Sequence, residues 1–153
     1  MKKTMVQKPR RILCYIDLSE HSRFVVEYGF ELARLVQAEL YVLHSVADIK
    51  QAAGFYVPHV NTELLEDQVA QAARDKMYAI CHQAAGEGID SDHRLVTKGN
   101  PVDAINQTIE SRQIELLVLS HETGKGSLYG FKSDLVERFM KNAAIPFLVL
   151  PVK

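Results

Sequence analysis

Arg11-Ile12-Leu13-Cys14-Tyr15-Ile16, closed by Asp17-Leu18-Ser19, is the stretch that decides how this chain folds. It is almost wholly apolar and too short for a helix. It therefore reads as a strand buried on both faces, the situation of strands inside a parallel sheet. Further apolar runs occupy residues 40–46, 93–97, 114–119 and 145–150. The third run of the five is weaker, because charged residues alternate into it.

Helical patterns fill the gaps between these runs. From Ser19, read as an N-cap, Val25, Gly29, Leu32 and Val36 recur at helical spacing. A second helix starts near Asn61 or Thr62 and lines up Val69, Ala73, Met77, Ile80 and Ala84 before Gly86 and Gly88 end it. A third has the clearest opening, Gly99, then Asn100 as cap and Pro101 at the first helical position, with Ala104, Ile105, Thr108 and Ile109 inward. The fourth runs over residues 133–142 with Val136, Phe139 and Met140 inward. The order βαβαβαβαβ demands right-handed crossovers and a parallel sheet with helices on both faces. Two longer connections, residues 47–60 and 120–132, both follow the carboxyl end of a strand. Doubly wound sheets bind ligands at that edge.

With 153 residues the chain has the size of one domain, expected over residues 11–153 behind a flexible tail, residues 1–10. A net charge of −1 leaves no basic field for nucleic acid. Cys14 and Cys81 stand far apart in no metal or redox motif, and Cys14 reads as a buried reduced thiol. The first nine residues carry lysines but no apolar core, unlike a signal peptide. No run approaches the ~20 apolar residues of a bilayer span. A cytoplasmic protein is expected.

Few residues offer chemistry. Asp17 ends the first strand, where its carboxylate could accept a hydrogen bond from a ligand or could cap the following turn. His21, His44 and His121 can approach the same edge but have no metal spacing, and they read as hydrogen-bonded or solvated side chains. Gly124-Lys125-Gly126 through Gly130 fits neither a dinucleotide fingerprint nor a Walker A loop. Phe55 and Tyr56 could close over the crevice or pack against a neighbouring subunit. No nucleophile elbow or catalytic carboxylate pair is present.

Taken together, Ile12 through Ser22, the strand Leu40-Tyr41-Val42-Leu43-His44-Ser45-Val46, the Gly99-Asn100-Pro101 helix start, and Glu137-Arg138 followed by Ile145-Pro146-Phe147-Leu148-Val149-Leu150 resemble the universal stress protein family over roughly residues 10–152. The resemblance implies a doubly wound five-stranded parallel α/β sheet of order 3-2-1-4-5, of the adenine-nucleotide alpha-hydrolase-like type. It also implies a homodimer paired through the carboxy-terminal edge strand, which would cover an exposed apolar edge.

The family's nucleotide-binding members carry Gly-x-x-Gly, nine residues, then Gly followed by Ser or Thr. The matching positions here are Ser120, Thr123, Ser133 and Asp134, so all three glycines are replaced. Side chains there crowd a backbone that would otherwise close on phosphate. Asp134 puts a carboxylate into a helix first turn, where the dipole favours it by ~0.3–1 kcal/mol and where it opposes a phosphate. Lys125 and Lys132 offset part of that repulsion, and a magnesium ion could bridge Asp134 to phosphate. The expectation is a non-enzymatic stress-response protein with no cofactor, acting through an unidentified protein partner, with an altered nucleotide cleft formed by Ile16, Asp17, Ser45, Ser120, His121, Thr123, Ser133 and Asp134. The alternatives are a switch binding ATP or AMP with Mg²⁺, and a slow phosphotransferase or ATPase.

Overall fold

Ile12 and Cys14 face one side of the first strand, β1 (Arg11–Tyr15), and Leu13 and Tyr15 face the other; both sets are buried. The computed structural model describes residues 6–48, 62–123 and 131–153, with residues 131–134 as backbone alone. Around β1 lie β2 (Glu39–Val46), β3 (Arg94–Lys98), β4 (Leu116–Glu122) and β5 (Phe147–Val152). All pairings are parallel and the order is β3-β2-β1-β4-β5, as the resemblance implied.

Two cores follow from the two-residue period of β1. Ile12, Cys14 and Ile16 pack with Val42 and Val118 under α1 (Ser22–Val36) and α2 (Thr62–Ala85). Leu13 and Tyr15 pack with Leu43, Leu117 and Leu119 under α3 (Pro101–Arg112) and α4 (Phe131–Asn142). Each fully buried Leu or Ile among them contributes ~1.5–3 kcal/mol relative to exposure. Gly29 lets α1 press onto β1, since a Cβ there would meet Cys14 Sγ at 2.2 Å. Both cysteines are free and buried.

Several expectations need correction. Ser19 does not cap α1: the N-cap is His21, which makes no side-chain cap bond. Ser19 instead accepts from the Ser22 amide through its carbonyl and from the His21 amide through Oγ, so the turn ends before the helix begins. Val69 is exposed because the buried stripe of α2 passes through the half-buried Ala70 on its way from Glu66 to Ala73. Met140 is likewise exposed, one step round α4 from the buried Phe139. β3 begins at Arg94 rather than His93, which lies in a short 3-10 turn. Finally, β4 continues to Glu122, beyond the expected end at Leu119, because β5 accompanies it through the pair Glu122↔Val152.

Candidate functional site

The strand order reverses between β1 and β4, so the helices leaving these strands diverge to opposite faces and leave a crevice at the carboxyl edge. A cavity of about 450 Å³ opens there. Its floor is made by Tyr15 and Asp17 from the end of β1 and by Leu119 and Ser120 of β4, with Glu122 beyond them. Ser19 and His21 bring the start of α1 to one wall, and Asn100, Pro101 and Val102 bring the start of α3. Leu135 and Arg138 of α4, with Val152 of β5, complete it.

The β1–α1 turn is built around Asp17. Its Oδ1 accepts from the Ser19 amide at 2.9 Å and from Ser22 Oγ at 3.2 Å. This holds Leu18 at φ 63°, a left-handed conformation that costs a non-glycine residue ~1–2 kcal/mol. Asp17 is thus a turn aspartate and also stands on the cavity wall. Beside it, burial pushes the Tyr15 phenol up to about 12, the Ser45 amide pulls against that shift, and the Asp17 carboxylate adds to it. The phenol stays protonated near neutrality and retains a donor.

Ile16 and Ser45, expected in the cleft, are buried and are not among the residues that line the cavity. The Ile16 amide donates to the Leu43 carbonyl at 2.9 Å, and its own carbonyl lies 2.8 Å from His44 Nδ1. A carbonyl only accepts, so His44 carries its proton on Nδ1. Ser45 Oγ donates to the Gly99 carbonyl at 2.5 Å, and the Gly99 amide donates to the Val46 carbonyl at 2.8 Å. At φ +116°, Gly99 makes the turn that aims α3 at the cavity. Asn100 Oδ1 then accepts the Val102 amide at 2.8 Å, the cap expected from the Asn-Pro pair.

Of the remaining expected site residues, Ser120 lines the cavity, whereas His121 and Thr123 are not on the described wall. His121 pairs with Pro151 across the ladder, and its buried Nδ1 has no hydrogen-bond partner among the described residues. Thr123 is tied to β5, with its amide 2.7 Å and its Oγ1 3.2 Å from the Val152 carbonyl. Ser133 and Asp134 fall in the first turn of α4, and their side chains, with that of Lys132, lie outside the described residues. So do Phe55, Tyr56, Lys125 and the glycines of residues 124–130.

Sequence reasoning missed Tyr15, Arg138 and Val152. Tyr15, the last residue of β1, shares the parity of Asp17 two residues on, a signal that could have found it. Nothing in the helical pattern of α4 singles out Arg138. Among the described residues, no group of three or more His, Cys, Asp or Glu side chains could hold a metal ion. No described helix is long and apolar enough to cross a membrane.

The model of the universal stress protein family matches residues 8–151. The universal stress protein A homolog of Pasteurella multocida (strain Pm70) is 21% identical over 144 residues, covering 94% of this chain and 97% of that protein. A solved structure from the universal stress protein family of Burkholderia pseudomallei has a TM-score of 0.69 at 17% identity, over 94% of this chain and 96% of that one. A universal stress protein crystallised in complex with cAMP has a TM-score of 0.62 at 16% identity, over 94% and 98%. At these identities the solved structures show the shared fold. The family match runs from before β1 into β5 and takes in every strand that frames the cavity: the chain belongs to the universal stress protein family.

Proposed function

We propose that this chain is a non-enzymatic stress-response protein of the cytoplasm, acting as a homodimer through contacts with a protein partner, and that its nucleotide cleft is altered at the phosphate end. The observation that carries the reading is the bonding of Thr123. In the family's binding members the matching position is a glycine, whose backbone can approach phosphate. Here the Thr123 amide donates to the Val152 carbonyl at 2.7 Å, and the preceding residues continue the β4–β5 ladder. An amide already engaged in the sheet is not free for a phosphate oxygen, which supports a cleft altered at that end.

The dimer reading rests on β5, which pairs with β4 alone among the described strands and forms an edge of the sheet. Its run Phe147-Leu148-Val149-Leu150 is apolar, and a second copy across a two-fold axis would cover it. Light scattering at micromolar concentration should give twice the chain mass; a monomer defeats this part of the proposal.

A second reading, a switch that binds ATP or AMP, is favoured by the cavity itself. About 450 Å³ is within the usual range for a small-molecule site, and its mixed apolar and polar wall suits a heterocycle. The solved relative in complex with cAMP supports this reading. Asp17 and the backbone around Ser45 would hold the base, and residues 120–134 the ribose and phosphates, with Mg²⁺ bridging to Asp134. Calorimetric titration of ATP and AMP, with and without Mg²⁺, separates the two. Binding weaker than millimolar is expected, and micromolar binding would establish the switch.

A further inference from the structure

Three helices begin beside the cavity at the β1–β4 reversal, and each start is furnished with the chain's own oxygen acceptors. At α3, Pro101 has no amide hydrogen, Asn100 Oδ1 takes the Val102 amide at 2.8 Å, and Asp103 adds a carboxylate to the first turn. Ahead of α1, Ser19 takes the His21 amide through Oγ and the Ser22 amide through its carbonyl, while its own amide goes to Asp17 Oδ1. The opening turn of α4 contains Asp134. A helix start attracts an anion through unpaired amides and the positive end of its dipole, and acceptors in the cap or first turn answer both.

Charge on the wall runs the same way. Asp17 and Glu122 line the cavity, and among the described lining residues Arg138 is the one permanent cation. His21, also on the wall, already faces Glu20 at 3.8 Å. We infer that the cavity selects an uncharged ring ligand of nucleoside size and discriminates against the same ligand carrying a phosphate. The inference rests on the reading that the cleft is altered at its phosphate end, and adds what the altered cleft holds.

Neutral groups supply the recognition. Tyr15 keeps its phenol proton, Asn100 has Nδ2 as a donor once Oδ1 is committed to Val102, and Ser120 brings a hydroxyl. Such donors suit ring nitrogens and carbonyl oxygens, and carboxylates accept from N–H and hydroxyl groups. Val102, Leu119 and Leu135 give apolar surface for the faces of a ring. A phosphate carried in with that ring would leave water for a wall where two carboxylates outnumber one guanidinium, and a desolvated charge without matching partners is costly.

Adenosine and AMP differ by the phosphate alone, so calorimetric titration of each into the full chain reads the discrimination directly. Adenosine should bind at least about tenfold more tightly than AMP. Tyr15→Phe, which removes the donor and keeps the ring, should weaken adenosine by about tenfold, with circular dichroism checking that the variant is folded. Glu122→Gln should tighten AMP and leave adenosine within about threefold, so that the ratio narrows. AMP binding as tight as adenosine or tighter overturns the inference and the altered-cleft reading together. Failure of both ligands to bind at about 5 mM overturns the inference alone and leaves the altered cleft standing. An adenosine preference unchanged by both substitutions puts the ligand outside this cavity and overturns the inference equally.

Discussion

Gly29→Ala tests whether contact between α1 and β1, rather than helix propensity, governs the position of the helix that walls the cavity. In an exposed helix interior this change would stabilise by about 1 kcal/mol. Here the new methyl would stand 2.2 Å from Cys14 Sγ and 3.4 Å from Leu40 Cδ1. Ordinary contact between such atoms lies near ~3.5–4 Å, so the helix or Cys14 must move by more than an ångström. Overpacking of a buried site costs ~1–3 kcal/mol. Taking the upper end and subtracting the propensity gain leaves a net loss of about 2 kcal/mol. With a urea slope of about 2 kcal/mol/M the unfolding midpoint falls by about 1 M. Cys14→Ala removes the opposing sulfur, so the double variant should unfold at higher urea than Gly29→Ala alone. A midpoint for Gly29→Ala at or above that of the parent would refute the reasoning, as would strict additivity of the two changes.

The remaining predictions concern the cap, the thiols and the phosphate end of the cleft. Asn100→Ala loses the bond to the Val102 amide and should cost about 1 kcal/mol, read as a thermal midpoint lower by ~2–4 °C. Cys14 and Cys81 should resist a thiol reagent at pH 8 until urea unfolds the chain; reaction in the folded protein would contradict their burial. Burial raises both thiols from an ordinary 9.0, to about 12 and about 11, and the Tyr15 phenol from 10.0 to about 12. The unfolded chain therefore releases these protons first. Their contribution is complete below pH 9 and declines as pH rises towards 11–12, by ~1.4 kcal/mol per unit for each group in its window. Denaturant melts at pH 8 and pH 10.5 should show this fall, and a flat profile would count against it. Ser133→Gly with Asp134→Ser removes a side chain and a negative charge from the first turn of α4, and should tighten ATP binding at least tenfold by calorimetry. No change would show that the substituted glycine positions do not limit phosphate binding.

The sequence alone determined the layers and the helix starts whose signals are local. Burial on both faces leaves a continuous apolar run, so residues 11–16 read as an interior strand with no knowledge of their neighbours. Asn100-Pro101 likewise announces a helix start, because the cap is a bond between residues two apart. The end of β4 carried no such sign. Ser120-His121-Glu122 is polar and reads as a loop, and only the ladder with β5 keeps it extended through Glu122. The same holds for Thr123, whose amide finds its acceptor 29 residues away. Val69 and Met140 show the limit of periodicity, since an apolar residue one step off the stripe is buried or exposed according to what packs over it. The cavity belongs wholly to tertiary structure. Tyr15, Asn100 and Arg138 line one cavity because the sheet reverses between β1 and β4, and that reversal is a contact between strands about a hundred residues apart. Local pattern fixes which face a residue presents, and packing at long range decides what that face meets.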